Sequence, residues 1–382
     1  MLTFIKKHQN KLILGLYIIL PLIAALKQYL TGSFNNYLIF KYTFINTRAG
    51  NHLYLEQPPL FFDSNHYGPF FAFIFAPFAL LPDVLGIPLW ALFVSLALFY
   101  AIKKLPVTER QQNLILLICS HELLTSLFNL QSNPFIAALI ILTFIFAVKH
   151  KEILSGLLIA IGFLIKLYGI VGFAFILFAK NKVKYILSFV AFTALLALLP
   201  ALISSVPFQI KGYQDWYISL STKNNQNLAS VMQNISAIGL IQKNFNADAS
   251  TRNILFGGLL MMLAQVVVNF KRFDSRRFQF LLLSSVLLFT VLFSTGSESA
   301  TYIIAFPGVA IWYITKERRT YLDHFLLVFA IILTSFSPSD LFPPDARTFV
   351  REYKLKALPC FLVWLEILRE SYFDRQRSTS NA

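Results

Sequence analysis

The chain has 382 residues, of which 57% are hydrophobic and only 13% are charged, and its mean hydropathy is +0.63. A water-soluble domain of this length would not tolerate so apolar a composition, so the sequence indicates an integral membrane protein. The formal net charge of +15 raises the alternative of a nucleic-acid-binding protein, which the positions of the charges disfavour. Cys119 and Cys360 both fall in apolar stretches, so neither a disulfide framework nor a thiolate metal site is expected.

Positive charge follows the alternation of the apolar stretches. Of the 33 Lys and Arg residues, 21 lie in short connections between these stretches. The short connections are residues 6–11, 103–110, 149–151, 180–184, 271–277, 316–319 and 369–377. Dense Lys and Arg in short loops marks the cytoplasmic side of a membrane protein. The charge therefore predicts two cytoplasmic termini and contact with the lipid bilayer, and no nucleic-acid partner is expected.

The first apolar span covers about residues 11–30. It follows a basic N-terminus and lacks a small-residue cleavage site, so it is predicted to be an uncleaved span. A long outer segment at residues 31–71 follows, with a predicted interfacial helix at residues 35–49. Three prolines make the next region ambiguous, but the lysines after it favour one crossing at about 85–103, preceded by a re-entrant or juxtamembrane piece at 70–82.

The remaining spans alternate regularly. They are placed at about 111–127, 132–149, 153–167, 168–180, 185–204, 253–270, 278–294, 299–315, 322–337 and 356–371. The sequence thus predicts an all-α polytopic bundle of about 12 spans, within a range of 10–13, as a single domain over residues 1–382. A second long outer loop is expected at residues 205–252. Uncharged polar side chains concentrate in the outer connections, so a functional site is expected to face away from the cytoplasm.

The stretch from Leu53 to Pro69 places Glu56, Asp63 and His66 among aromatic residues and prolines. The prolines prevent a regular helix, so this loop must hold the carboxylates in place. In a helical turn Asp63 and His66 would point the same way, and a carboxylate oriented by a histidine is a competent proton acceptor. The alternative is a loop held together by Asp and Asn side chains on backbone amides. Asp63, His66 and Glu56 are the candidate catalytic residues.

Lys166 interrupts an otherwise apolar run that begins at Gly156. A lysine within a span usually faces a cavity or an anion, although snorkelling to the head groups would also explain it. Two half-length helices meeting here would leave an outward-facing cavity. Because Tyr168 and Gly169 allow close backbone approach, Lys166 and Tyr168 are predicted to bind a phosphate.

Amide side chains cluster where one predicted span leaves the membrane and the next begins. Asn129, Gln131 and Asn133 can hydrogen-bond sugar hydroxyls or simply cap helix ends. The 205–252 loop combines Trp216 with many Asn and Gln residues, which suits carbohydrate, but an interfacial aromatic belt explains Trp216 almost as well.

Two further patterns bear on metals and cofactors. His121 and Glu122 are adjacent, so on a helix they point about 100° apart and cannot chelate one metal from the same face. A buried hydrogen-bonded contact with another helix is the simpler interpretation. No zinc spacing, phosphate-cradling glycine loop or nucleophile-elbow serine occurs, so no cofactor or protein-bound metal is predicted, and a role for a divalent cation stays open.

The order of several motifs resembles a known bacterial membrane family. The motifs are Tyr54, the pair Pro58-Pro59, Tyr67-Gly68-Pro69, the polar turn Asn129 to Pro134, the glycine-to-lysine run Gly156 to Lys166, and Ser297 to Tyr302. Together they resemble glycosyltransferase family 87, formerly domain of unknown function 2029, which has the GT-C fold. The similarity covers most of residues 30–315.

The resemblance implies transfer of a hexose from a lipid-linked, polyprenyl-phosphate donor to a glycan or glycolipid acceptor, as in mannosyltransferase-like enzymes of the cell envelope. Transfer would take place on the extracytoplasmic face of the inner membrane, commonly with inversion. Asp63 would be the base and Lys166 the phosphate partner. The implied sugar and acceptor contacts are Asn36, Asn129, Gln131, Asn133, Asn234, Glu298 and Tyr302.

The sequence departs from the family pattern at one important position. Many relatives carry an aspartate ahead of the glycine that ends the interfacial helix, and counting back from Gly50 gives Asn36. An amide cannot accept the acceptor's proton. Either Asp63 or Glu56 has taken this role, the acceptor differs, or the chain is a non-catalytic member of the fold. A transporter or flippase of a lipid-linked sugar is the other rival, although it would need polar groups on both sides of the membrane midplane.

Overall fold

The computed structural model describes the backbone of residues 2–379 and the side chains of residues 8–373. The chain ends that were predicted to be cytoplasmic, residue 1 and residues 380–382, lie outside the described residues. Within this range the regular structure is helical, apart from one isolated β-bridge between Gln57 and Phe61. The α-helices are α1 (Leu2–Leu30), α2 (Asn35–Ala49), α3 (Phe71–Ala79), α4 (Asp83–Lys103), α5 (Glu109–Leu127), α6 (Asn133–Val148), α7 (Glu152–Ile165), α8 (Lys182–Leu198), α9 (Val206–Ala229), α10 (Ala237–Asn244), α11 (Thr251–Val268), α12 (Arg276–Leu292), α13 (Tyr302–Thr315), α14 (Tyr321–Phe329), α15 (Pro344–Glu352) and α16 (Ala357–Thr379).

In the described part of the chain, four helices are long and apolar enough to cross a membrane. They are His8–Leu30, Asp83–Lys103, Lys182–Ile203 and Thr251–Val268. Five shorter apolar helices accompany them, at Asn133–Val148, Glu152–Ile165, Leu167–Phe178, Ser299–Thr315 and Tyr321–Phe336. This all-helical, apolar architecture supports the predicted class of membrane protein. The segment Asp83–Lys103 is a single continuous helix, as the charge pattern predicted.

The two segments that were predicted to be long outer loops contain helices. The predicted interfacial helix is present as α2, and it ends at Gly50, whose φ of 71° lets its N–H close back on the carbonyl of Asn46. The predicted loop 205–252 instead contains α9 and α10. Two short helices, α7 and the 3₁₀ helix Leu167–Phe178, meet at an extended Lys166, as the short spacing had indicated.

The chain forms two compact units. The first unit comprises Met1–Pro106 and Ser126–Asn225, and the second comprises Val107–Thr125 and Gln226–Ala382. The first unit therefore holds α1–α4, α6–α8 and most of α9, whereas the second holds most of α5 and α10–α16.

The core of the first unit is aromatic where α2 packs against α3 and α4. Phe40, Phe71 and Phe75 surround the fully buried Trp90, whose indole N–H donates to the carbonyl of Leu130 at 2.8 Å. Edge-to-face contacts of this kind stabilise beyond the area they bury. They fix the start of α2 beside the loop that leads into α3.

The approach of α2 to α4 depends on a glycine. A Cβ at Gly86 would lie 2.0 Å from the hydroxyl oxygen of Tyr37, which is itself fixed by donating to the carbonyl of Phe78 at 3.1 Å. Lys41 adds an ion pair of 2.6 Å with Asp83 at the start of α4. The position of α2 is therefore determined by steric fit and by charge.

In the second unit, Glu122 of α5 forms a buried ion pair with Lys356, the residue before α16. Glu122 accepts from the Lys356 ammonium at 2.9 Å, and both side chains are almost completely inaccessible. The Lys356 nitrogen also lies 4.9 Å from the centre of the Tyr302 ring. The neighbouring His121 instead contacts the Ser335 hydroxyl at 3.1 Å. This arrangement confirms the sequence interpretation of a buried contact with another helix.

Glu122→Gln is expected to lower the free energy of unfolding by about 3–5 kcal/mol, because it leaves the Lys356 charge buried without its partner. The measurement is thermal unfolding of the purified protein in detergent. The exposed pair between Asp340 and Arg347 supplies the matched control, since exposed ion pairs contribute about 0–1 kcal/mol. Equal melting temperatures for Glu122→Gln and Asp340→Asn would contradict the prediction.

Candidate functional site

A loop between α2 and α3, residues 51–70, carries the predicted catalytic residues, and we call it the site loop. Its backbone is fixed close to Asp63, because Asn35 at the start of α2 exchanges two hydrogen bonds of 2.7 Å with the N–H and carbonyl of Phe62. Asp63 itself has a φ of 71°, in the left-handed region. An aspartate tolerates this conformation better than most residues.

Asp63 lies between two basic side chains. Its Oδ2 is 2.8 Å from the ammonium of Lys223 on α9, and its Oδ1 is 3.5 Å from Nε2 of His66. Burial alone would raise the pKa of Asp63, but the contacts with His66, with Lys223 and with the Ser64 N–H outweigh it and hold the pKa below its usual range. About half of the carboxyl side chain stays exposed, so a substrate can reach it.

The hydrogen-bond network determines which nitrogen of His66 is protonated in the neutral ring. The Ser219 hydroxyl donates to the carbonyl of Asn65 at 3.0 Å and therefore accepts from Nδ1 of His66 at 2.9 Å. Nδ1 then carries the proton, and Nε2, which faces Asp63, is the basic nitrogen. His66 can accept a proton that Asp63 has picked up.

The site loop is also held by its own side chains. The Asn65 side chain accepts from the backbone N–H of Tyr67 at 2.9 Å, and the Asp63 side chain accepts from the N–H of Ser64 at 2.8 Å. The structural interpretation of these residues is therefore supported. For Asp63 it leaves room for the catalytic prediction, because Lys223 is the one contact of Oδ2 among the described residues.

Helix α9 contributes Trp216, which the sequence analysis noted, and Asp215 and Lys223, which it did not. The Trp216 indole donates to the carbonyl of His66 at 2.9 Å, and Asp215 pairs with His52 at 3.2 Å. Because the N–H of Tyr54 donates to Nδ1 of His52, Nε2 is the nitrogen that donates to Asp215. A second carboxylate and imidazole thus lie on the same helix as Lys223.

Lys166 lies where the site loop contacts the end of α7. Its ammonium donates to Oδ1 of Asn133 at 3.1 Å and lies 5.5 Å from the centre of the Tyr67 ring and 5.3 Å from that of Tyr168. In the described part of the chain no carboxylate approaches Lys166 within 4.0 Å. Among the described residues, this half-buried cation therefore has no anionic partner.

The loop and the helix end contact each other through backbone. The N–H of Gly68 donates to the carbonyl of Ile165 at 3.2 Å, and a Cβ at Gly68 would lie 2.1 Å from the carbonyl oxygen of Leu164. A larger residue at position 68 would push the loop away from Lys166. Lack of space for a side chain therefore explains the glycine in the Tyr67-Gly68-Pro69 motif.

The amide residues predicted to contact sugar also border this region. Asn133 donates to Gln131 at 2.7 Å, the Ser132 hydroxyl donates to the Tyr67 oxygen at 3.1 Å, and Asn36 donates to the carbonyl of Asn129 at 2.8 Å. Within the first unit, Asp63 and His66 contact each other on the site loop. Lys166 contacts Asn133 and the ring of Tyr168, Asn133 contacts Gln131, and Asn36 contacts Asn129. Glu56 is exposed and joins none of these contacts in the described structure.

The other predicted contacts lie in the second unit, around the turn at residues 230–236. The Tyr302 hydroxyl donates to the carbonyl of Ile235 at 2.9 Å, and the backbone N–H of Asn234 donates to the carbonyl of Thr295 at 2.9 Å. Glu298 accepts from Gln233 at 3.2 Å. Asn234, Glu298 and Tyr302 are thus gathered at one turn, where the buried Tyr302 is suited to positioning the turn.

Three carboxylates in the described part of the second unit, Asp323, Glu366 and Glu370, have oxygens within 4.8 Å of one another, which a metal ion would require. Each is already paired with a basic side chain. Lys316 contacts Asp323 at 2.6 Å and Glu370 at 2.7 Å, and Arg369 contacts Glu366 at 2.6 Å. The arrangement is that of an ion-pair network in which ammonium and guanidinium groups neutralise the carboxylates.

Comparison with known proteins gives one family. No curated protein matches the sequence. The profile of glycosyltransferase family 87 matches residues 65–295, a segment that includes His66, Lys166 and Asn234 and begins just after Asp63. Since the match covers more than half of the chain, the protein belongs to glycosyltransferase family 87.

Proposed function

We propose that this glycosyltransferase moves a hexose from a polyprenyl-phosphate donor to a glycan or glycolipid acceptor on the extracytoplasmic face of the inner membrane. The observation that carries the proposal is Lys166, a half-buried cation at the end of an apolar helix that no carboxylate of the described residues approaches within ion-pairing distance. An ammonium in such a place is stabilised by an anionic ligand. A phosphate attached to a lipid supplies the charge and approaches from the bilayer.

The proposed reaction is a direct displacement. The acceptor hydroxyl oxygen attacks the anomeric carbon, and the new C–O bond forms as the C–O bond to phosphate breaks. The hydroxyl proton passes to Asp63 and then to Nε2 of His66, which faces Asp63 at 3.5 Å. The departing lipid phosphate keeps the bonding electron pair, and Lys166, aided by Tyr168, offsets its charge.

The location of Asp63 supports its assignment as the base. The family's aspartate position is Asn36, and its neighbour Asn35 is hydrogen-bonded on both sides to Phe62, the residue before Asp63. A carboxylate is therefore present next to the position where the amide replaces the usual base. In this proposal Asp63 has taken over the role, and Lys223 must release it when the acceptor binds.

The remaining parts of the proposal concern the membrane. We expect about 12 spans with a GT-C-like arrangement in a single domain, both termini in the cytoplasm, and the site loop outside. The density of Lys and Arg in alternate short connections supports this orientation. Asn129, Gln131 and Asn133, together with Asn234, Glu298 and Tyr302, are the proposed contacts or supports for donor sugar and acceptor.

The direct test is a transfer assay in proteoliposomes that contain the purified protein, labelled polyprenyl-phosphate hexose and a membrane extract as the source of acceptor. Glycosylated product should form without added nucleotide sugar. Labelled lipid that crosses the bilayer without forming product would indicate a flippase instead. If no product forms and the donor does not bind, the result favours a non-catalytic member of the family. The amide at position 36 makes this a specific alternative.

A further inference from the structure

A cavity in the second unit is not used by the proposed displacement. It measures about 340 Å³ and lies among the end of α9, the turn that follows it, α10 and the turn after α15. Its polar lining residues are Ser230, Asn234, Gln242, Lys243, Glu352 and Lys354. Small-molecule pockets of proteins measure about 300–1,000 Å³, so this cavity admits a small ligand.

One wall of the cavity is built by Lys354. Its ammonium donates to three backbone carbonyls, those of Ser230 at 2.9 Å, Val231 at 2.7 Å and Gln233 at 2.7 Å. An ammonium has three hydrogens, so the donors of Lys354 are all used. Burial, with a smaller contribution from the nearby Lys243, lowers the pKa of Lys354 to about 8. Lys354 therefore shapes the cavity and has no hydrogen left to donate to a ligand.

The backbone of the cavity is held in an uncommon conformation. Lys354 has a φ of 57° and Asn234 a φ of 53°, both in the left-handed region that non-glycine residues seldom adopt. Such conformations persist where surrounding contacts enforce them, and they are concentrated at ligand sites. A Cβ at Gly239 would lie 1.9 Å from the carbonyl oxygen of Asn234, so close packing against Gly239 enforces the conformation of Asn234.

Amides line the next part of the cavity. Oδ1 of Asn234 accepts from the Ser236 hydroxyl at 2.7 Å, and Nε2 of Gln242 donates to the carbonyl of Ala249 at 2.9 Å and to Thr251 at 3.1 Å. Their mutual contact is long, at 3.4 Å between Nδ2 of Asn234 and Oε1 of Gln242. A weak contact of this length is readily exchanged for hydrogen bonds to ligand hydroxyls.

Opposite charges lie at the rim. Lys243 and Glu352 are 3.5 Å apart, and each side chain is close to half exposed. Exposed ion pairs contribute only about 0–1 kcal/mol, so a ligand can separate them and hydrogen-bond to both. The rim pair is neutral as a whole, and all hydrogens of Lys354 are donated to carbonyls, so the groups left to contact a ligand are the amides, the Ser230 hydroxyl and the rim pair. The cavity matches a neutral molecule rich in hydroxyl groups.

We propose that this cavity binds a neutral saccharide. This inference concerns the second unit alone and does not rest on the proposed function. The cavity then gives Asn234 a specific role as a sugar contact, supported by Gln242 and by the charged pair at the rim.

The test is saturation-transfer difference NMR on the full-length protein in nanodiscs, without donor lipid. The probes are neutral hexoses, deoxyhexoses, pentoses and N-acetylhexosamines, with their common disaccharides. At least one probe should bind, and Glu352→Gln and Lys243→Gln should each weaken its binding about tenfold, because each removes a charged hydrogen-bonding partner. Asp340→Asn, at another exposed ion pair of the second unit, should bind like the wild type.

Three results would overturn the inference. They are no binding by any probe to folded protein, equal binding by wild type and both rim variants, and displacement of the bound saccharide by inorganic phosphate. Because the NMR measurement omits the donor, its outcome does not depend on the outcome of the transfer assay. Saccharide binding without glycosyl transfer would refute the proposed function and leave the cavity assignment intact.

Discussion

Lys166→Gln is expected to reduce sugar transfer by about 10²–10³-fold, the size of effect seen when one preorganised group that stabilises developing charge is removed. Glutamine keeps a donor that can reach Oδ1 of Asn133, now 3.1 Å from the ammonium, so the end of α7 should keep its conformation. What is lost is the positive charge facing the departing phosphate. Initial rates with labelled polyprenyl-phosphate hexose, measured over a range of donor concentrations, check the prediction.

Two companion variants separate charge from folding. Lys180→Gln removes an exposed lysine from the next short connection and should leave transfer unchanged. Lys166→Arg keeps the charge with a different geometry and should retain more activity than Lys166→Gln. If Lys166→Gln transfers sugar as fast as Lys180→Gln, then Lys166 only snorkels to the head groups and the phosphate assignment is wrong.

Local sequence signals predicted the bounds of two helices well. The lysines that follow favoured one crossing at about 85–103, and the structure has one continuous helix at Asp83–Lys103, preceded by the short α3. Gly50 correctly marked the end of α2. Both signals act within a few residues of their effect, since loop charge sets the orientation of a span and a glycine permits the left-handed helix end.

The site could be predicted only in part, because its contacts join distant parts of the chain. The contact of Lys223 with Asp63 and that of Asp215 with His52 both require α9 to lie against the site loop. The sequence predicts a loop at residues 205–252, whereas the structure has α9 there, so the prediction does not include this helical face. The spacing of Lys211, Asp215, Ser219 and Lys223 by four residues places them along one helical face, which is the signal that would have found them.

Asp63→Asn is expected to lower the rate of sugar transfer by about 10²–10⁴-fold, the contribution of a positioned general base. The variant tests chemistry more than folding, because asparagine also tolerates the left-handed φ of 71° at this position. Rates in proteoliposomes with saturating donor measure the effect. Glu56→Gln should be close to wild type, since Glu56 is exposed and makes no described contact with the site.

A base that acts while paired with Lys223 has a characteristic dependence on pH. Asp63 must be ionised to accept a proton, so activity falls as pH drops through its pKa. Contacts with His66 and Lys223 lower that pKa, so Lys223→Gln should raise it and shift the acid limb of the kcat/KM profile to higher pH. The contrary result is an acid limb that stays in place in Lys223→Gln, with activity lost in Asp215→Asn and kept in Asp63→Asn. Those results together would show that Asp215, the carboxylate beside His52, is the base.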